Sequence, residues 1–356
     1  MTLPTRLARC VAPLAALLCL AAPADAQPRW YRGNTHTHTT ESDGNAPPMA
    51  VARWYKEHGY DFVVITDHEK VTDVAPLNDS LAALGRFLVI RGQEVTQRVF
   101  DPARPTDARQ AHVNAVGVAR PVLPLGERGL ARETTIAATY ARNLAAIRAA
   151  GGLAQVNHPN WRWSVVPDDM AALPDSTLFE LWNGHAGVNN LGGADESGRV
   201  ALSTEALWDT LLTRGRLLFG VADDDAHEYK REQLEDPYGT RPGKAWVMVR
   251  ADTLTPEAIV RALGRGDFYA STGIALAAYE ADARGVRLRV ARRSTSDDRR
   301  ITTRFIGRGG RVLAEVAGVE ARYDVRGDEG YVRAAIVDSN GQRAWTQPVR
   351  VAGTRD

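Results

Sequence analysis

From Arg32 to about Ser271 the chain alternates short apolar runs of strand length with stretches of helical period. The strand candidates are Trp30–Thr35, Phe62–Thr66, Phe87–Arg91, His112–Val118, Leu153–Asn157, Leu178–Trp182, Leu217–Ala222 and Ala245–Val249. Several are apolar at nearly every position, as expected of strands buried on both faces. Helical patterns lie between them at Pro47–His58, Glu133–Ala150 and Thr204–Leu212, with Ser203 as an N-cap. A further helix starts at Thr255-Pro256-Glu257 and ends near Gly264. Such alternation predicts an α/β fold, either a barrel or a doubly wound sheet. After Gly273 the period changes to alternating segments at Val286–Val290, Ile301–Ile306, Arg311–Val316 and Tyr331–Val337, with turns at Gly309-Gly310 and Asn340-Gly341. Residues 276–356 therefore read as a small β domain of sandwich type.

Composition matters through position. The two cysteines, Cys10 and Cys19, lie in one apolar segment behind Arg6 and Arg9 and ahead of Ala24-Asp25-Ala26, the layout of a secretory signal peptide over residues 1–26. The run from Val11 to Ala22 contains Pro13 and falls short of the roughly 20 residues of a spanning helix. Leu17 and Leu18 before Cys19 argue against lipid attachment. The expected mature protein is periplasmic or secreted, without a transmembrane segment. It carries 42 basic and 42 acidic residues and no cysteine, so no disulfide can form and a metal site must use His and carboxylate. This neutrality excludes a disordered polyelectrolyte and a basic nucleic-acid binder. Residues 276–356 hold 16 Arg against 11 acids, for +5, and the remainder is −5. The arginines form a solvated face or, alternatively, meet an anionic partner.

Six of the eight histidines stand at the ends of strand candidates. His36 and His38 are two apart, so that on a strand they face the same way. His68 closes the run from Val63, and Glu94 the run from Leu88. His112 opens its strand, His158 closes the run from Leu153, and Asp225 and His227 follow the run from Leu217. Strand carboxyl ends form the functional rim of parallel α/β folds, which brings such residues together. His58, before Gly59, reads as a helix cap; His185, after Leu178–Trp182, is a candidate substrate contact on the same rim. A carboxylated lysine bridging two metals is excluded mid-chain, because no lysine occurs between residues 71 and 229. Glu94 can bridge instead.

These motifs, His36-Thr-His38 with Ser42-Asp43-Gly44, Thr66-Asp67-His68, Gly92-Gln93-Glu94, His112, Asn157-His158-Pro159 and Asp225-Ala226-His227, resemble in order those of the PHP (polymerase and histidinol phosphatase) superfamily of metallohydrolases. The resemblance implies a distorted (β/α)7 barrel over residues 27–275 with two or three divalent metal ions. One metal would use His36, His38, Glu94 and Asp225; a second would share Glu94 and add His112 and His158; a third would use Asp43, His68 and His227. Many family phosphatases have histidine where Asp43 stands. The leader, Arg326–Arg333 and Ala344–Pro348 resemble the larger exported, carbaryl-hydrolase-like branch, which includes a carbamate-type hydrolase beside phosphoesterases.

The expected chemistry is attack on a phosphate mono- or diester by a metal-bridging hydroxide. Glu94 and Asp225 would hold the metals, Arg162, between Trp161 and Trp163, would hold phosphate oxygens, and Tyr229 would position or protonate the leaving group. Asp67, Asp223 and Asp224 are expected to orient ligand histidines. Zn is the first choice of metal, with Mn or Fe as alternatives. The substrate is expected to be a small-molecule or lipid-headgroup phosphate ester. Two other readings stay open: a carbamate, ester or amide hydrolase with the same centre, and a non-catalytic exported metal-binding module.

Overall fold

A computed structural model of the chain describes residues 28–82, 86–100, 109–122, 135–194, 198–236 and 238–351. The expected leader, with Cys10 and Cys19, lies outside these residues, as does the expected Glu133 start of the third helix. The apolar runs form strands β1 (Arg29–Asn34), β2 (Phe62–Ile65), β3 (Leu88–Val99), β4 (Arg109–Val116), β5 (Leu153–Val156) and β6 (Leu178–Asn183). A short pair, β7 (Gly193–Ala194) and β8 (Val200–Ala201), precedes β9 (Phe219–Asp223), β10 (Trp246–Ala251) and β11 (Phe268–Ser271). The helices are α1 (Pro48–Glu57), α2 (Ala75–Ala82), α3 (Ile136–Ala149), α4 (Thr204–Thr213), α5 (Arg231–Leu234) and α6 (Pro256–Arg265). Ser203 and Thr255 cap α4 and α6, their hydroxyls accepting from the Ala206 and Ala258 N–H groups. None of these helices is long and apolar enough to cross a membrane.

The strands run in the order β1-β2-β3-β4-β5-β6-β9, and a parallel bridge between Thr37 and Ala226 brings the end of this path back beside β1. Alternation sorts each strand into two faces. In β2, Val64 joins Tyr31, Ile90, Val116, Phe219 and Val221 in one apolar cluster, on which α6 closes with Ile259 and Leu263. Its neighbours Val63 and Ile65 pack the other way, against Val51 and Tyr55 of α1 and Leu77 and Leu81 of α2. Gly33 leaves room for this arrangement: a Cβ there would stand 2.0 Å from the Phe62 ring.

Two expectations are corrected. Strict parallel alternation fails at β3-β4-β5, which are antiparallel neighbours. β3 runs on to Val99 and pairs with β4 down to Arg109, so Glu94 and His112 lie within strands rather than at their ends. The largely polar half of β3, Gln93 to Val99, can pair this way because only the face that carries Val95 and Val99 needs an apolar partner.

The C-terminal part contains β12 (Leu276–Asp282), β13 (Gly285–Val290), β14 (Ile301–Gly307), β15 (Arg311–Ala317), β16 (Glu320–Asp324), β17 (Tyr331–Asp338), β18 (Arg343–Thr346) and β19 (Val349–Arg350). Strands β12, β13 and β16 form one sheet, and β15-β14-β17-β18 another, with an apolar cluster from both that includes Leu288, Phe305, Tyr323 and Ile336. Because β18 pairs with β11, the second sheet continues that of residues 29–271, so hydrogen bonding crosses the position expected to separate two domains. Many of the arginines here are in ion pairs, such as Arg299 with Asp297 and Asp338 and Arg322 with Asp324.

Candidate metal centre

β1 ends at Asn34, whose side-chain oxygen accepts the His36 N–H at 3.0 Å. Beyond that bend His36 and His38 share a face, with Nε2 atoms 3.2 Å apart, and Thr37 faces the other way to meet the Ala226 carbonyl. Both Nε2 atoms stand 3.2 Å from Glu94 Oε2 and 3.2 Å from Asp225 Oδ1. The other Glu94 oxygen lies 3.0 Å from His112 Nδ1, 3.3 Å from His158 Nε2 and 2.9 Å from the donating Asn157 Nδ2. Asp43 forms a third group, with its oxygens 3.5 Å from His68 Nε2, 3.4 Å from His227 Nε2 and 3.5 Å from His38 Nδ1. All nine expected ligands therefore converge. His36, His38 and Glu94 are buried, whereas the Asp43 side chain is 55% exposed, so the third group is the open side of the cluster.

The donor set fits divalent cations. The His36 Nδ1 donates to Glu180 Oε1, at 2.8 Å, so in the neutral ring it is Nε2 that offers a lone pair toward Glu94, Asp225 and His38. Asp225 Oδ1, facing those rings, is buried without a hydrogen-bond partner. Lone pairs of nitrogen and carboxylate oxygen packed this closely suit a cation such as Zn, Mn or Fe, and Glu94 offers one oxygen to each of two groups. Charge balance follows the same geometry. Burial works against the His68 cation, but Glu94 and Asp43 outweigh it and hold its pKa near 9. Burial pushes His112 down to about 4 against the pull of Glu94. Partial burial opposes the Asp43 carboxylate, yet His227 and His68 hold it well below the usual range. Backbone strain concentrates here, with positive φ at His158 (20°) and Asp225 (47°).

Sequence reasoning missed Glu180. It is buried in β6, accepts from His36 Nδ1, from the His158 N–H and from Asn183 Nδ2, and thereby orients two candidate ligands at once. The signal was a lone acid inside the apolar run Leu178-Phe179-Glu180-Leu181-Trp182. Its neighbour Asp223 is pushed far up by burial and by Glu180 itself, and takes hydrogen bonds from Thr35 and Gln155. Exchanging Glu180 for glutamine keeps the shape but weakens the acceptor for His36. Metal affinity in Glu180→Gln, measured by competition with a chelator, is expected to fall about 10–100-fold; unchanged affinity would remove Glu180 from this role.

Three other expectations need correction. Tyr229 does not face the cluster: its hydroxyl bonds Thr37 Oγ1, on the face of that strand opposite His36 and His38, and it packs with Trp54 and Tyr55. Burial keeps that phenol protonated. Asp224 also faces outward, accepting from Asn34, Tyr55 and the backbone of residues 243–245. Asp67 orients the loop that carries Asp43, through Thr39, Ser42 and Thr72, rather than a histidine.

His185 does reach the site, with its ring edge-on to His227 at 5.7 Å and to Trp161 at 5.3 Å. Its Nδ1 accepts the Gly187 N–H at 2.9 Å, which leaves Nε2 as the donor. Gly187 has to be small, because a Cβ would stand 2.7 Å from Trp161 and 3.0 Å from His185. Arg162 is exposed at φ 51° with its guanidinium 5.6 Å from the Trp161 ring centre, and it makes no ion pair among the described residues. His58 caps α1, with Nδ1 2.7 Å from the Trp54 carbonyl, away from the cluster.

No protein-family model and no curated protein matches the chain. Among solved structures it is similar to a two-domain Bacteroides vulgatus protein containing a predicted PHP-like metal-dependent phosphoesterase, at 16% identity and TM-score 0.48 over 88% of this chain and 92% of that one. It is also similar to an amidohydrolase from Chromobacterium violaceum with bound sulfate, at 16% identity and TM-score 0.35 over 55% of this chain and 87% of that one.

Proposed function

We propose that the chain is a metal-dependent hydrolase of phosphate esters, built on a distorted (β/α)7 barrel of the PHP type and exported after loss of residues 1–26. The observation that carries the reading is the convergence of nine His, Asp and Glu side chains on three adjoining groups, two of them sharing Glu94. A structural site is normally closed with four ligands, so a set this large and open on the Asp43 side favours catalysis over a passive metal-binding module. His36, His38, Glu94 and Asp225 would hold one cation, Glu94, His112 and His158 a second, and Asp43, His68 and His227 a third. When bound, such cations supply the Lewis acidity that activates water and neutralises the oxygens of an ester in displacement.

The chain's own groups do the rest. Glu180 holds His36 and the His158 backbone, Asn157 and Asn183 hold Glu94 and Asp225, and His185 presents an Nε2–H donor at the edge of the cluster. Arg162 suits the phosphate oxygens, since its fork is uncommitted among the described residues. Carbamate hydrolysis by the same centre is the second reading. Aryl phosphate mono- and diesters are expected to turn over at least about tenfold faster, in kcat/KM, than an aryl carbamate with the same leaving group. Faster carbamate turnover under identical metal loading would reverse the assignment.

A further inference from the structure

We propose that the cavity between α4 and the outer face of the β14-β17-β18 sheet is a second ligand site, for a small organic anion with an apolar body. It is separate from the metal cluster and has a volume of about 680 Å³, within the range of small-molecule sites.

The register builds the hollow. Arg304, Ala335 and Trp345 are directly paired across the three strands, with Ile306 paired to Arg333 on one side and Val337 to Arg343 on the other. Ala335 is the small residue in the middle of these larger ones, so the sheet is dished there. The opposite face of the same strands, with Phe305, Ala334 and Ile336, belongs to the apolar cluster shared with β12, β13 and β16. From α4 the cavity is covered at Ala206 and Thr210, both short, and one end is tied by the Gly309 N–H donating to Thr213 Oγ1 at 2.7 Å.

The charge around this hollow selects an anion. Four arginines line it, Arg214, Arg304, Arg333 and Arg343, against two carboxylates, Glu205 and Asp209; Arg214 and Arg304 also meet Asp168 and Glu315 in exposed pairs, which are weak enough to be exchanged for a ligand. Both carboxylates are engaged by Arg333, Asp209 through two hydrogen bonds of 2.8 and 2.6 Å and Glu205 through one of 3.0 Å. Arg333 is only 1% exposed, and its Nη1 is buried without a partner. A buried donor left unpaired is unfavourable, and an oxygen of a bound anion would satisfy it. The remaining wall is apolar, from Ile306, Val337 and Trp345, and two of the large exposed apolar residues of the molecule, Leu202 and Val312, also line the cavity. One acidic head among arginines and an apolar body against these side chains match that lining.

The probe is 8-anilinonaphthalene-1-sulfonate, titrated by fluorescence into the full-length, metal-loaded protein. One saturable site is expected. Affinity should fall at least about tenfold in Ala335→Trp, which fills the floor, and in Arg343→Glu, which reverses a lining charge. It should be unchanged in Glu94→Ala, and the uncharged N-phenyl-1-naphthylamine should bind at least about tenfold more weakly than the sulfonate. If Ala335→Trp fails to fold by circular dichroism, Arg343→Glu, at a 37% exposed side chain, carries the comparison. Absence of a saturable site, binding that survives Arg343→Glu, loss of binding in Glu94→Ala, or equal binding of the uncharged probe would each overturn the proposal.

Discussion

Replacing Glu94 with alanine is expected to strip at least one cation from each chain and to slow hydrolysis of an aryl phosphate ester by about 1,000-fold or more, the equivalent of roughly 4 kcal/mol in the barrier. The size follows from position. Glu94 is 1% exposed, and its two oxygens lie within 3.4 Å of ring nitrogens from His36, His38, His68, His112 and His158. Asp225 meets His36 and His38 at 3.2 Å but His158 only at 4.0 Å, and no Asp225–His112 contact is found among the described residues, so loss of Glu94 removes the carboxylate shared most closely by the two buried groups. Metal content by plasma mass spectrometry and kcat on the same preparation check the result. A folded Glu94→Ala protein with full metal content and unaltered kcat would show that Glu94 does not bridge.

The second large effect is on stability, at the junction between α4 and the C-terminal sheet. Arg333 is buried against Trp208, its guanidinium carbon 4.9 Å from the ring centre, and Asp209 answers it with two hydrogen bonds while also accepting from the Tyr331 hydroxyl. Asp209→Ala removes two of the three hydrogen bonds that the buried Arg333 makes to carboxylates and leaves it Glu205 alone, so it should cost about 3–5 kcal/mol. The exposed pair Arg304–Glu315, at 52% and 54% exposure, should cost less than about 1 kcal/mol when broken by Glu315→Ala. Urea unfolding of both variants provides the comparison, and equal midpoints would contradict the contribution assigned to the buried pair.

What could be read from the chain followed burial. β2, and β9 up to Asp223, are apolar because every residue in each is enclosed, and such runs are visible without any partner in view. The far half of β3, Gln93 to Val99, is mostly polar, with only Val95 and Val99 apolar, and its pairing with β4 depends on a neighbour that composition does not name. Most of the nine candidate ligands were legible because they stand next to recognisable apolar runs, whereas Asp43, in the turn after His38, was legible only through the family resemblance. Glu180 was not, since an acid in an apolar strand declares neither its face nor its partner until His36 is placed against it. Tyr229 shows the converse. Two residues after His227 in sequence, it lies behind the strand, bonded to the one residue between His36 and His38 that faces away from the cluster. Nearness to a motif does not decide which face a side chain takes. The bond between β11 and β18 was hidden for another reason, since it joins residues about 75 positions apart and depends on the path of the whole C-terminal part.

Whether the histidine and carboxylate cluster around Glu94 is a multi-cation centre can be seen by anomalous diffraction from crystals of protein purified without chelator and supplied with Zn or Mn. At least two anomalous peaks are expected, one bounded by His36, His38, Glu94 and Asp225 and one by Glu94, His112 and His158, with any third beside Asp43. Well-ordered side chains in the same positions with no anomalous peak among them would contradict it.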